Sequence, residues 1–199
     1  MMNFAAAFDR VPKFVLFGAA GLIQIGLIGL MVTDRAEILR AGRDVTLLTR
    51  PLDPRDFLRG DYVVLGYDIS SVPAGALKDT PSAGWGTPVF VKLAPSRDGL
   101  YEAVSVHPAP VDVTSPEVLI RGRVVSGANC GKELRTFCGT LQVRYGIESY
   151  FVPQGEGRKL EIARNQRKLT VVAAVAPTGR AAIKRLLIDG EPVYDEPWF

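Results

Sequence analysis

The side chains with the most chemical capacity lie in "LDPRDFLRGDYVVLGYDIS", residues 52–70. There Asp53, Asp56 and Asp61 alternate with Arg55 and Arg59 and run into Tyr62. Clustered carboxylates serve general acid–base chemistry or bind hard cations such as calcium. Two interleaved arginines compensate the charge that a cation site needs. The same residues suit a second role, in which carboxylates around Pro54 accept backbone N–H bonds, pair with the arginines and brace a turn at Gly60. Asp53, Arg55, Asp56, Arg59, Asp61 and Tyr62 are therefore candidate interaction or ligand residues, and the pattern assigns no catalytic residue, metal ligand or cofactor. The Arg-Gly-Asp triplet is too short a match to be read as an adhesion signal. In "YGIESYFVPQGEG", Glu148 stands among Tyr145, Tyr150 and Phe151. It joins the candidates as a carboxylate on an aromatic surface, although core packing accounts for the same aromatics. Glu156 and Glu161 extend that polar stretch. His107, in "SVHPAP", has no serine or cysteine placed around it by a motif, so a hydrogen-bonded or solvent-facing role is expected. The sequence has no phosphate-binding glycine loop, Cys/His cluster or nucleophile elbow.

These residues must be positioned by strands. "DYVVLGYDIS" alternates, with Val63, Leu65, Tyr67 and Ile69 on one face and Tyr62, Val64, Gly66 and Asp68 on the other, which predicts one continuous strand. "VTLLTR" predicts a strand ending at Pro51, and a Gly-, Pro- and Ser-rich loop is expected from Ser71 to Pro88. "PVFVKLAP" and "GLYEAVSVHP" flank Asp98-Gly99, a hairpin turn. "EVLIRGRVVSG" and "GTLQVRYG" are expected to pair, with Leu141, Val143 and Tyr145 toward the core. "ESYFVP" predicts a strand, "GRKLEIARNQ" one or two helical turns, and "KLTVVAAVAPTGRAAIKRLLIDGEPV" a hairpin around "APTGR".

Composition bounds the class. Of 199 residues, 47% are hydrophobic and 23% charged, too apolar for a disordered chain, and a net charge of +3 with mixed signs argues against a nucleic-acid surface. Phe14 to Val32 carries no charge. Nineteen helical residues at ~1.5 Å each reach roughly 28 Å, the thickness of a bilayer's hydrocarbon core. A cleavable signal sequence would have a shorter apolar stretch and a small-residue cleavage site, whereas "MVTDRAEILRAGR" follows here. The flanking charges do not favour a cytoplasmic N-terminus, but long domains translocate largely regardless of such charges. Cys130 and Cys138, in "GANCGKELRTFCGT", fit a disulfide closing a small loop in an oxidising compartment; two separate thiols fit as well.

At Gly60, Asp61, Tyr62, Leu65 and Tyr67 the chain resembles the GDYXXLXY family of bacterial membrane-anchored proteins. The resemblance continues through "VRYGIESYFVPQGEG" and "GRAAIKRLLIDG". It implies an N-terminal span followed by an extracytoplasmic domain, and a membrane partner, but no activity. "LRGDYVVL" also resembles the Arg-Gly-Asp-leading strand of type I signal peptidases. Those enzymes need a Ser-Met pair and a later lysine base, and no Ser-Met pair occurs in this chain.

The expected architecture is a mainly β (α+β) extracytoplasmic domain with one N-terminal transmembrane helix. It comprises a tail (1–13), the transmembrane helix (14–33), a juxtamembrane helix or linker (34–44) and a β-rich domain (45–199). The expected role is a periplasmic interaction or assembly protein in the bacterial inner membrane, beside a multi-spanning membrane protein and without nucleic acid. The alternatives are an envelope hydrolase or peptidase with a signal-peptidase-like β fold, and a sensor binding a small ligand through the Ser71–Pro88 loop. Oligomeric state is not fixed by the sequence.

Overall fold

A computed structural model describes residues 12–52, 62–76, 85–126, 139–153 and 155–197. Helix α1, Lys13–Ala41, comes first. Its apolar stretch leaves Phe14, Phe17, Leu22 and Met31 exposed, and by length and composition it could cross a membrane. The polar residues after Val32 continue the same helix without a break. The helix stops at Gly42, whose N–H donates to the Ile38 carbonyl. Glycine is required there because a Cβ would collide with that carbonyl oxygen and press on Ala174.

The rest is mainly β, as the sequence predicts. Among the described residues the strands are β1 (Arg43–Arg50), β2 (Tyr62–Val64), β3 (Gly66–Tyr67), β4 (Ser71–Pro73), β5 (Pro88–Pro95), β6 (Tyr101–His107), β7 (Val118–Ser126), β8 (Thr140–Arg144) and β9 (Ser149–Phe151). Helix α2 (Gly157–Asn165) then precedes β10 (Leu169–Val175), β11 (Ala181–Ile188) and β12 (Glu191–Asp195). One antiparallel sheet has the order β12-β11-β10-β1-β3, a second has the order β4-β8-β7-β5-β6, and β2 pairs with β9. Both larger sheets feed one core. β1 and β10 contribute Val45, Leu47, Leu169 and Val171, while β5, β7 and β8 contribute Val91, Leu93, Ile120 and Leu141. The period-2 alternation of apolar residues produces this: along β5, Val89, Val91 and Leu93 are buried and the residues between them are not.

The signature differs from the expected single strand. Its faces are as predicted, since Val63, Leu65, Tyr67 and Ile69 are all buried, but its ladder is not continuous. Tyr62–Val64 pairs with β9, Gly66–Tyr67 pairs with the end of β1, and Asp68–Ser70 closes into a 3₁₀ turn. The strand changes partner at Leu65, so one short stretch ties the two-stranded ribbon to the first large sheet. Gly66 permits this approach, because a Cβ there would lie 3.0 Å from the Leu52 side chain.

The β10–β11 hairpin turns at Ala176–Arg180. Gly179 has φ +82°, and an added Cβ would meet the backbone nitrogen of Arg121 at 3.0 Å. Gly179→Ala is therefore expected to cost about 1–2 kcal/mol, through a positive φ and a displaced β7 contact. Denaturant unfolding of the full chain in detergent measures it.

Candidate functional site

The signature and the second block, Val143 to Gly157, meet through two reciprocal bonds. The Tyr67 hydroxyl donates to the Ile147 carbonyl at 2.6 Å, and the Tyr145 hydroxyl donates to the Ile69 carbonyl at 2.6 Å. Each tyrosine reaches the carbonyl two residues beyond the other tyrosine. Both rings are buried, so each hydroxyl needs the partner it has. The Leu65 N–H donates to the Glu148 carbonyl at 2.8 Å, bridging the point where the signature changes partner.

Glu148 holds the turn that makes this possible. Its carboxylate accepts the Gly146 N–H at 2.9 Å and also the Tyr145 N–H, while Gly146 takes φ +85°. The predicted candidate is thus a turn brace whose charge is spent on backbone donors. Burial, and secondarily the Glu148 charge, raises the ionisation of Tyr67 and Tyr145 well above the ordinary tyrosine value. Tyr150 is pushed up to about 12, first by burial and then by Glu196. A group whose pKa is raised by folding stabilises the fold below its unfolded pKa, and that contribution is lost as pH rises toward its folded pKa. Stability is therefore expected to hold up to pH ~10 and then to fall by as much as ~1.4 kcal/mol per pH unit for each buried tyrosine. Denaturant midpoints at pH ~8 and ~11 check this.

Among the described residues Arg164 is the buried charged side chain, at 1% exposure. On α2 it shares the inward face with Leu160 and Ala163. Its Nη1 donates to the Val64 carbonyl at 2.5 Å and its Nη2 to the Leu52 carbonyl at 3.2 Å, while Asn165 Oδ1 accepts from Nη2 at 3.1 Å. Leu52 and Val64 flank residues 53–61, so one guanidinium ties both flanks of the charged segment to α2. Among the described residues no carboxylate forms an ion pair with it. Burial lowers its pKa, opposed in part by the Glu161 charge.

Beside this junction lies a groove of about 610 Å³ whose lining includes Arg50, Val64, Gly66, Gln142, Arg144 and Glu148. The Arg50 guanidinium is preorganised there: it donates to Ser71 Oγ and, at 3.1 Å, to Gln142 Oε1. Arg144 is exposed. Two guanidiniums beside an amide, with the carboxylate turned to the backbone, equip the groove to hold a polar or anionic group. The described side chains of the groove do not join a nucleophile to a base.

Asp53, Arg55, Asp56, Arg59, Asp61, Cys130 and Cys138 lie outside the described residues, as do residues 77–84. The loop expected from Ser71 instead begins as β4, Ser71–Pro73, paired with β8, and a 3₁₀ turn at Ala74–Ala76. Tyr62 lies in β2, opposite Phe151. Of the aromatics around Glu148, Tyr145 is buried and Phe151 is 80% exposed, so the block is part core and part surface. His107 Nε2 and Ser105 Oγ are hydrogen-bonded at 2.9 Å. The sequence reading did not single out Arg50, Gln142, Arg144 or Arg164. For Arg164 the signal exists, since Leu160, Ala163 and Arg164 fall on one helical stripe. For Arg50 and Gln142 it does not, because they meet across 92 positions of chain.

No curated protein matches the chain, and no solved structure matches it. The sequence model of the GDYXXLXY protein family matches residues 24–186, from within the apolar part of α1 through most of β11. Signature and second block both fall inside that match. The chain belongs to the GDYXXLXY family.

Proposed function

We propose that the protein is a non-enzymatic interaction or assembly subunit, anchored by α1 in the bacterial inner membrane with its β domain in the periplasm. Its signature end meets the extramembrane part of a multi-spanning membrane protein. The observation that carries the reading is the convergence of the signature and the second block on one braced groove. The continuity of α1 supports an uncleaved anchor. Its last turns pack Ile38 and Leu39 on Ala174 and Ala182, and cleavage beyond the apolar run would leave that docking segment without its tether. The groove also favours a second reading, a periplasmic sensor, because about 610 Å³ accommodates a small anionic ligand.

Affinity purification of the full chain from its own membranes in mild detergent, followed by mass spectrometry, tests the first reading. Wild type is expected to retain a multi-spanning protein that Arg144→Glu loses at unchanged thermal stability, since an exposed charge reversal leaves the core intact. Retention of the same proteins by both refutes it. A phosphatase fused after Phe199 is expected to be active, and an inactive fusion contradicts the periplasmic assignment. A Cys130–Cys138 disulfide accords with that compartment, and the alkylation mass shift with and without reductant tests it.

A further inference from the structure

The end of the domain opposite the signature carries a second surface. Ile38 and Leu39 of α1 pack on Ala174 and Ala182, and four residues earlier Asp34 pairs with Arg180 at 2.5 Å. Four helical residues rise ~6 Å and two strand residues ~6.6 Å. Helix and hairpin thus run level with one another, and the step from Ala182 to Arg180 matches the step from Ile38 to Asp34. Asp34 stands two residues, ~3 Å, beyond Val32, where the apolar run ends. The headgroup layer on each side of a bilayer is about 5–8 Å deep. Arg180 therefore falls within that layer, and Pro177 and Thr178, one step further along the hairpin, reach its inner edge.

The tip is built to hold this position. The Gly179 N–H donates to the Ala176 carbonyl at 2.8 Å, the Ala176 N–H donates to the Arg180 carbonyl at 2.8 Å, and the Arg121 N–H anchors the Gly179 carbonyl at 2.7 Å. Pro177 and Thr178 are exposed while Gly179 is buried. Residues 176–180 contain no acidic side chain, and an arginine with an aliphatic stem suits an interface of apolar and charged layers. We propose that the β10–β11 tip, Pro177–Thr178, is a membrane-contact surface seated among the lipid headgroups beside α1. It rests on the reading of α1 as a span. One consequence is that β1, eight residues or ~26 Å long, carries the chain from that tip's end of the sheet to the signature's end. The signature then stands clear of the lipid, facing a partner's extramembrane portion.

A photoreactive diazirine side chain placed singly at Leu22, Thr178 and Lys159 tests this in the full chain, reconstituted in vesicles of phosphatidylethanolamine and phosphatidylglycerol. Lys159 is exposed on α2, at the signature end. Lipid adducts at Leu22 and Thr178, each several-fold above those at Lys159, are expected. Adducts at Leu22 with Thr178 no higher than Lys159 overturn the tip contact and leave the anchor standing. Background yield at Leu22 overturns both.

Discussion

Arg164→Met is expected to lower the unfolding free energy by about 2–3 kcal/mol. The substitution preserves most of the volume and lets α2 keep its packing, but it strips the Leu52 and Val64 carbonyls of their guanidinium donor. A fully buried carbonyl left without a donor costs roughly 1–3 kcal/mol, and these two bonds are part-buried, which puts each toward the lower end of that range. Two of them outweigh the gain from no longer burying a charge, which is why the net sign is destabilising. Arg164→Lys separates geometry from charge. Its single ammonium reaches one flank of the 53–61 segment but cannot bridge both, so it is expected to recover only part of the loss. Denaturant unfolding of both variants measures the difference. A methionine variant as stable as wild type would show that the two carbonyls find other donors and that Arg164 is not the clamp.

The tyrosine staples give the second large effect. Tyr67→Phe and Tyr145→Phe each remove one hydroxyl and leave a buried carbonyl, at Ile147 or Ile69, without its donor. Each is expected to cost about 1–2 kcal/mol. Truncation of either ring to alanine removes a large buried body as well and is expected to cost about 3–5 kcal/mol. Both bonds fasten the same pair of segments, so the two phenylalanine substitutions are expected to be non-additive, with a coupling of about 0.5–1.5 kcal/mol in a double-mutant cycle. Strict additivity would mean that the signature and the second block are held independently.

Much of the fold is legible in the sequence because it depends on local periodicity. The alternation in "PVFVKLAP", the Asp98-Gly99 turn and the uncharged run from Phe14 to Val32 each specify their element within a few residues. The buried face of the signature was legible in the same way. Its break at Leu65 was not, because alternation sets which face a residue takes and says nothing about which strand pairs with it. The break follows from two long-range partners, β9 for Tyr62–Val64 and the end of β1 for Gly66–Tyr67. A juxtamembrane helix or linker was expected over 34–44, and α1 runs on through Ala41, with Ile38 and Leu39 docked on alanines of β10 and β11.

The site divides along the same line. Glu148 was legible as a chemically capable residue in an aromatic block, while its use as a backbone brace required the turn at Gly146. The charged run Asp53 to Asp61 drew attention by its side chains. What the described residues reveal is the frame on either side of it: Arg164 at Leu52 and Val64, and the tyrosine staples beyond. Tyr67 read as a core residue, and its hydroxyl bond to Ile147 could not be read from residues 80 positions apart.

The proposal that the signature and the second block form one partner-facing groove at the end of the domain away from the membrane is tested most directly by crosslinking in the native membrane. A photoreactive residue at Arg144, on the groove, is compared with one at Trp85, which is exposed and does not line the groove. The account predicts a crosslink from position 144 to a multi-spanning membrane protein, lost when Glu148→Ala releases the turn, and none to that protein from position 85. Equal crosslinking from both positions, or a position-144 product indifferent to Glu148→Ala, would contradict it.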